Sequence, residues 1–313
     1  MPLVEQNIVI TADWLQYADV NQLFMSGTKN NHVVSQVYLR SFACKEKNGA
    51  VYMSSLGDKG WCLPSRPVGI KRVCSFQDFY SIILDGDVDR DTLESQYKQL
   101  FEDNWPKVID RLKSFPFFVY RGNNLARELL FSKQQEVTLI KFLHHQYKKS
   151  PRMKAKVVQM NEKLGEEQWA KLDDAISADN NDRERTERVF NHMTFTSFLK
   201  QSIEDDTGII ETMFWHKNWI VWQNFTSIPF ITTDVPVLWF DELSRGIVKT
   251  LFAVISPNYA IEIQSNSEIK RRVFCLHADE EQVGKFNRMM KNYAFSKLVS
   301  NNKGVIEALI SCG

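Results

Sequence analysis

In the run Asn31-His-Val-Val-Ser-Gln-Val-Tyr-Leu-Arg-Ser-Phe42, an imidazole, an amide and a guanidinium recur every four residues as His32, Gln36 and Arg40. If this run is helical, the three lie along one stripe, while Val34, Val37, Tyr38 and Phe42 turn toward the other side. Histidine is the side chain most easily poised for proton transfer near neutral pH, and glutamine can orient a water or a phosphate oxygen. The competing structural reading makes His32 and Gln36 hydrogen-bonded helix-entry residues. A second run, Phe230-Ile-Thr-Thr-Asp-Val-Pro-Val237, places Asp234 after the hydroxyls of Thr232 and Thr233 at a strand exit that Pro236 terminates. A carboxylate there can project as a metal ligand or catalytic acid. The alternative is an Asx-turn, in which Asp234 accepts a backbone donor two residues on. A third run carries Lys148, Lys149, Arg152, Lys154 and Lys156 between two helical patterns. It is either a patch that binds phosphate without base specificity or a solvated helix junction.

Other catalytic templates are missing. There is no Gly-x-Ser-x-Gly, no Gly-x-x-x-x-Gly-Lys and no Gly-x-Gly-x-x-Gly, which removes support for a hydrolase elbow, a nucleotide P-loop and a dinucleotide fingerprint. The 5 cysteines are widely spaced and never form a Cys-x-x-Cys pair, so reduced structural thiols are expected and structural zinc is disfavoured.

The elements that must position these residues follow from periodicity. Val33 to Phe42 fits a short helix as well as a strand, and Ala50 to Ser54 alternates as a strand, with Gly49 and Gly57 to Gly60 as turns. Leu93, Tyr97, Leu100, Phe101, Trp105, Val108, Ile109 and Leu112 keep a helical spacing, which Pro106 should kink or restart. Further helices are predicted over about 133–147, 154–176 and 182–203. After Thr207 the β-branched and aromatic runs 219–222, 228–233, 247–255 and 259–263 predict an antiparallel sheet, and a last helix is predicted over about 280–300. The order implies an α+β fold, mainly antiparallel sheet from the N- and C-terminal segments around a large helical block. Residues 1–30, with the strand-like run Asn7–Thr11, read as an N-terminal arm; 31–313 read as a single domain with the helical insertion at about 89–203.

Composition narrows the function classes. Lys plus Arg number 39 against 38 for Asp plus Glu, so the net charge of +1 gives no global field toward nucleic acid or an anionic membrane. The longest apolar runs are too short to span a bilayer and no signal-like N-terminus precedes them. A soluble cytoplasmic protein without a membrane partner is expected.

The segment order is similar to that of a large, mainly bacterial family, the domain of unknown function family 4238. Its His-x-x-Pro-Gln-x-Tyr-Leu-x-x-Phe block resembles His32 to Phe42, with Ser35 at the proline position. A helix bearing glutamate follows, here Glu94 and Glu102. The family's Gln-x-x-Arg-Thr-Pro segment resembles Gln146 to Pro151, with Lys149 for the arginine and Ser150 for the threonine. Phe-Ile-Thr-Ser-Asp-Asn-Pro-Val resembles Phe230 to Val237, and Ile255-Ser-Pro257 resembles a Leu-Ser-Pro strand start. The resemblance covers about residues 31–300 and implies that His32, Gln36, Gln146, Lys149, Asp234 and Pro236 share a site.

Together these readings favour a phosphodiester-acting enzyme, a nuclease with a bacterial defence or toxin-like role. His32 would be the general base or a metal ligand, Gln36 a catalytic orienting amide, and Asp234 a catalytic carboxylate or metal ligand with Glu102 beside it, for Mg or Mn. Gln146, Lys149, Arg152, Arg40 and Thr233 would hold the substrate. The partner would be nucleic acid, a protein or a second copy of the chain. The alternative is a non-catalytic sensor or binding module for an anionic ligand or protein partner, and a nucleotidyl or glycosyl transferase stands third.

Overall fold

The computed structural model describes residues 30–77, 79–80, 82–84, 87–89, 92–114, 127–128, 131–176, 183–204, 217–240, 249–265 and 273–311. The first elements are β1 (Asn30–His32), α1 (Gln36–Leu39), β2 (Ala50–Gly57), β3 (Gly60–Trp61), β4 (Val68–Gly69), β5 (Ser75–Gln77), β6 (Ile82–Leu84) and β7 (Asp87–Asp89). The helical block holds α2 (Thr92–Tyr97), α3 (Trp105–Ser114), the short strand β8 (Arg127–Glu128), α4 (Lys133–Lys148), α5 (Pro151–Asn161), α6 (Glu166–Ile176) and α7 (Arg183–Glu204). The last third holds β9 (Lys217–Asn224), β10 (Thr232–Thr233), β11 (Val237–Trp239), β12 (Lys249–Ser256), β13 (Tyr259–Ser265), β14 (Val273–Ala278), α8 (Glu280–Tyr293), β15 (Lys297–Ser300) and α9 (Lys303–Ser311). The fold is α+β, with sheets from the N- and C-terminal segments and the helical block between them. The Asn7–Thr11 run and the Lys270–Arg272 cations lie outside the described residues. No described helix is long and apolar enough to cross a membrane.

The chain divides into two compact units. One takes in the described residues of Asn30–Asn31, Phe76–Tyr97 and Arg152–Asp205. In it, Val157, Trp169, Val189, Phe190, Phe195 and Leu199 are buried. The Trp169 and Phe190 rings meet edge to face at 5.5 Å, and the Arg183 guanidinium lies 4.5 Å over Trp169. The helix predicted over 154–176 is two helices here, because the chain turns at Glu162–Gly165 before Glu166 and Glu167 supply the negative first turn that favours a new helix.

The other unit comprises His32–Ser75, Lys98–Pro151 and Asp206–Gly313. Among the described residues it holds two sheets. A six-stranded one runs in the order β11-β12-β13-β9-β14-β8, antiparallel except where β14 lies parallel to β9. Helix α8 covers it, with Phe286 4.5 Å from Phe252 and 5.5 Å from Trp222, ring centre to ring centre. The second sheet runs β10-β15-β2-β3, and β4 also pairs with β2. Around α1, Trp105 stacks on Phe142 at 3.9 Å and Tyr38 lies 5.9 Å from Trp105. The single helical spacing read from Leu93 to Leu112 is interrupted: a π-helical turn at Lys98–Glu102 leaves Leu100 51% exposed, and α3 restarts at Trp105–Pro106. That restart fits a residue without an N–H donor, which the first turn of a helix tolerates.

The expected final helix is the largest departure. It stops at Tyr293, and Lys297, within the range predicted as helix, instead opens β15, which pairs with β2 and β10. The strands β11 and β14 were also not predicted. β11 has only three residues, too few for an alternating pattern to show, and β14 is held by β9 and β8, ladder partners far away in sequence whose contribution local patterning does not contain.

Candidate functional site

His32 stands at the junction of two walls of one cavity. Its Nε2 lies 3.1 Å from the Lys71 carbonyl oxygen, and its Nδ1 3.3 Å from Gln36 Nε2. A carbonyl only accepts, so Nε2–H donates to Lys71, and Nδ1 accepts from the Gln36 amide. His32 closes β1 and Gln36 opens α1, so the second contact is made across the bend at 33–34 and not along the helical stripe that the four-residue spacing suggests. The first ties the end of β1 to the distant 66–72 segment. Between these walls is a cavity of about 610 Å3 lined by Gln36 and Arg40 on one side and Arg66, Pro67, Val68, Gly69, Ile70, Lys71 and Arg72 on the other. Arg40, Arg66, Lys71 and Arg72 are exposed, and the lining contains no carboxylate. Four like charges facing one concavity raise its positive potential and concentrate anions there.

The aromatic half of the same block builds core. Tyr38 is fully buried and hydrogen-bonds through its hydroxyl to Thr232 Oγ1 at 2.8 Å and to the Val254 carbonyl, so the segment that carries His32 and Gln36 is anchored to the sheets. Burial pushes the Tyr38 phenol far above its ordinary value.

Gln146, near the end of α4, reaches this block from behind. Its Oε1 accepts the Ser35 backbone N–H at 3.2 Å, taking up a donor at the start of α1 that no side chain of the α1 segment caps. Gln146 is 2% exposed and does not line the cavity. Lys149 is 1% exposed and pairs with the half-buried Glu102 at 3.6 Å, which places the proposed substrate cation and the proposed metal carboxylate against each other. The basic run at 148–156 is thus no open patch. Lys149 is buried, burial pushes the half-buried Lys148 down to about 8, and only Arg152 and Lys156 are exposed. Arg152 belongs to the other compact unit, on the first turn of α5.

Asp234 is fully buried. Its Oδ1 accepts the Phe295 N–H at 2.9 Å, and its Oδ2 accepts both the N–H and the hydroxyl of Ser296 at 2.8 Å. These donors lie some sixty residues downstream, and Pro236, two residues after Asp234, has no N–H to give, so the Asx-turn reading is corrected: the local turn is closed by Thr233, whose Oγ1 accepts from Val235 N at 3.0 Å and donates to Val235 O at 2.9 Å. Thr233 is itself fully buried. Of the three N–H groups between α8 and β15, that of Ala294 bonds back to the helix and Asp234 takes the other two, those of Phe295 and Ser296. Burial pushes its carboxyl above the ordinary aspartate value, against the opposing pull of those hydrogen bonds. Nearby Cys74 is buried with a left-handed φ of 51°, and desolvation and the Asp234 charge push its thiol well up. Among the described residues, no three His, Cys, Asp or Glu side chains gather as a metal site.

Residues 30–304 match the family described as Protein of unknown function (DUF4238). The chain belongs to that family. No curated protein matches it, and no solved structure does. Within this DUF4238 chain, three of the four recognisable blocks converge on the fold around α1: His32 and Gln36 at the cavity, Gln146 behind it, and Thr232, beside Asp234, on Tyr38. The cavity's second wall was missed from the sequence. Its signal was Arg66-Pro-Val-Gly-Ile-Lys-Arg72, three cations in seven residues with no acid. The denser run at 148–156 drew attention instead, because density of charge is visible in a sequence and burial is not.

Proposed function

We propose that this chain binds a phosphate-bearing anion in the cavity between α1 and the 66–72 segment. The observation that carries the reading is the lining itself: Arg40, Arg66, Lys71 and Arg72 face one space with no carboxylate among them, and none forms an ion pair with a described residue. Guanidinium groups take phosphate oxygens through paired N–H donors, and Lys71 adds a point charge. Gln36 is pre-oriented by His32, which lowers the ordering cost of adding an amide donor to the ligand shell.

The non-catalytic form of the function fits this geometry better than the hydrolytic one. His32 has both ring nitrogens committed to Gln36 and Lys71, so its role is to hold the two walls in place. Asp234 spends both oxygens on Phe295 and Ser296, and Glu102 faces Lys149. The test is calorimetric titration of inorganic phosphate, nucleotides, and short DNA and RNA into the wild type, Arg66→Gln and Arg72→Gln, with cleavage of labelled strands followed with and without magnesium or manganese. Binding that weakens at least tenfold in both variants at unchanged melting temperature supports the reading. Binding indifferent to both substitutions refutes it. Strand cleavage that His32→Ala abolishes in a folded protein would instead restore the nuclease.

A further inference from the structure

We infer that the ligand is a small molecule carrying a chain of two or more phosphates on an apolar or heterocyclic body. This rests on the cavity being an anion site and names what it takes.

The first argument is charge and reach. A volume of about 610 Å3 corresponds to a sphere roughly 10 Å across, close to the distance over which salt screens a charge, so the four cations on its walls repel one another through the space. One phosphate is too small to meet all four cations and leaves much of that positive charge uncompensated. A diphosphate or triphosphate spans the cavity and matches the charge. Hydrogen-bonding capacity agrees. Three forked guanidiniums, an ammonium and an amide present more N–H groups than the oxygens of a single phosphate can accept.

The second argument is the rest of the lining. Pro67, Val68 and Ile70 are only half-buried, so the cationic wall is interleaved with apolar surface. That mixture suits a ligand with an organic body attached to its phosphates, as in a nucleoside diphosphate or triphosphate. Single-stranded nucleic acid is generally held by aromatic platforms on which bases stack, and the lining contains no aromatic ring.

Gly69 provides a test that changes shape without changing charge. It lines the cavity, its φ and ψ of −64° and 138° suit any residue, and a Cβ built there meets no atom within 4 Å. The experiment is a calorimetric series with inorganic phosphate, diphosphate, triphosphate, ADP, ATP and a short single-stranded oligonucleotide, on the wild type, Gly69→Phe and Arg72→Gln. The inference expects affinity to rise at least tenfold from phosphate to diphosphate, ADP to bind more tightly than diphosphate, and Gly69→Phe to weaken ADP and ATP at least tenfold. Phosphate and triphosphate binding within twofold of each other would overturn it while leaving the anion site standing. An oligonucleotide that binds tenfold more tightly than ATP would also overturn it. Nucleotide binding that Arg72→Gln weakens and Gly69→Phe does not would show a surface charge effect and overturn it as well. Should no ligand in the series bind, the anion site falls with it.

Discussion

Replacing Asp234 by asparagine separates a carboxylate that holds the fold from one that performs chemistry. In the native chain its two oxygens receive three hydrogen bonds, from Phe295 N, Ser296 N and Ser296 Oγ. Asparagine keeps one accepting oxygen. If that oxygen stays on Ser296, the new NH2 group meets the Phe295 N–H, donor against donor. One lost hydrogen bond to a charged acceptor costs about 1.5–3 kcal/mol, and buried unsatisfied donors add about 1–3 kcal/mol. Relief of a buried charge offsets part of this, since burial already holds the carboxyl above its ordinary 3.8. The net loss expected is about 2–4 kcal/mol, read as a lower urea midpoint at unchanged slope. The folded carboxyl keeps its proton more readily than the unfolded one. Its contribution to wild-type stability therefore falls as pH rises from 3.8 through the raised native value, and the variant loses that dependence. Phosphate affinity of the folded variant should stay within twofold of wild type. A variant as stable as the wild type, or more so, that no longer binds or acts would refute the reasoning and return Asp234 to the functional site.

His32→Ala removes the hydrogen bonds that join Gln36 to Lys71; two bonds at about 0.5–1.5 kcal/mol each predict a stability loss of roughly 1–3 kcal/mol, together with weaker phosphate binding by calorimetry. Unchanged binding would show that the walls hold without it. Lys149→Met leaves the partly exposed Glu102 carboxylate without its cation and is expected to cost about 1–3 kcal/mol in chemical denaturation while leaving ligand affinity alone; lost affinity at full stability would place Lys149 in the site after all. In the other unit, Lys154 donates to the Phe79 carbonyl at 2.9 Å and lies 4.4 Å over the Phe79 ring, and burial pushes it down to about 8 from 10.5. The unfolded chain then binds more protons than the folded one between those values, so stability rises as pH climbs from about 8 toward 10.5, and Lys154→Met should flatten that rise in thermal melts.

Much of this protein was legible in local pattern. The strand at Ala50, the helices over Lys133–Lys148 and Arg183–Glu204, the restart at Pro106 and the α+β order all follow from short-range periodicity and from the donor that proline lacks. The run of His32, Gln36 and Arg40 is readable too, but its four-residue spacing does not by itself bring His32 to Gln36, because His32 lies on β1 and meets the amide across a bend. Tertiary structure alone decided what those residues face. A seven-residue cationic segment became the second cavity wall because β4 pairs with β2 and His32 holds the Lys71 carbonyl, and the stronger basic run lost Lys149 to a pair with Glu102. Asp234 shows the same division. Its position at a strand exit was readable, but its partners lie some sixty residues on, and whether a buried charge is spent on a backbone N–H or left for a ligand depends on which donors the fold brings to it.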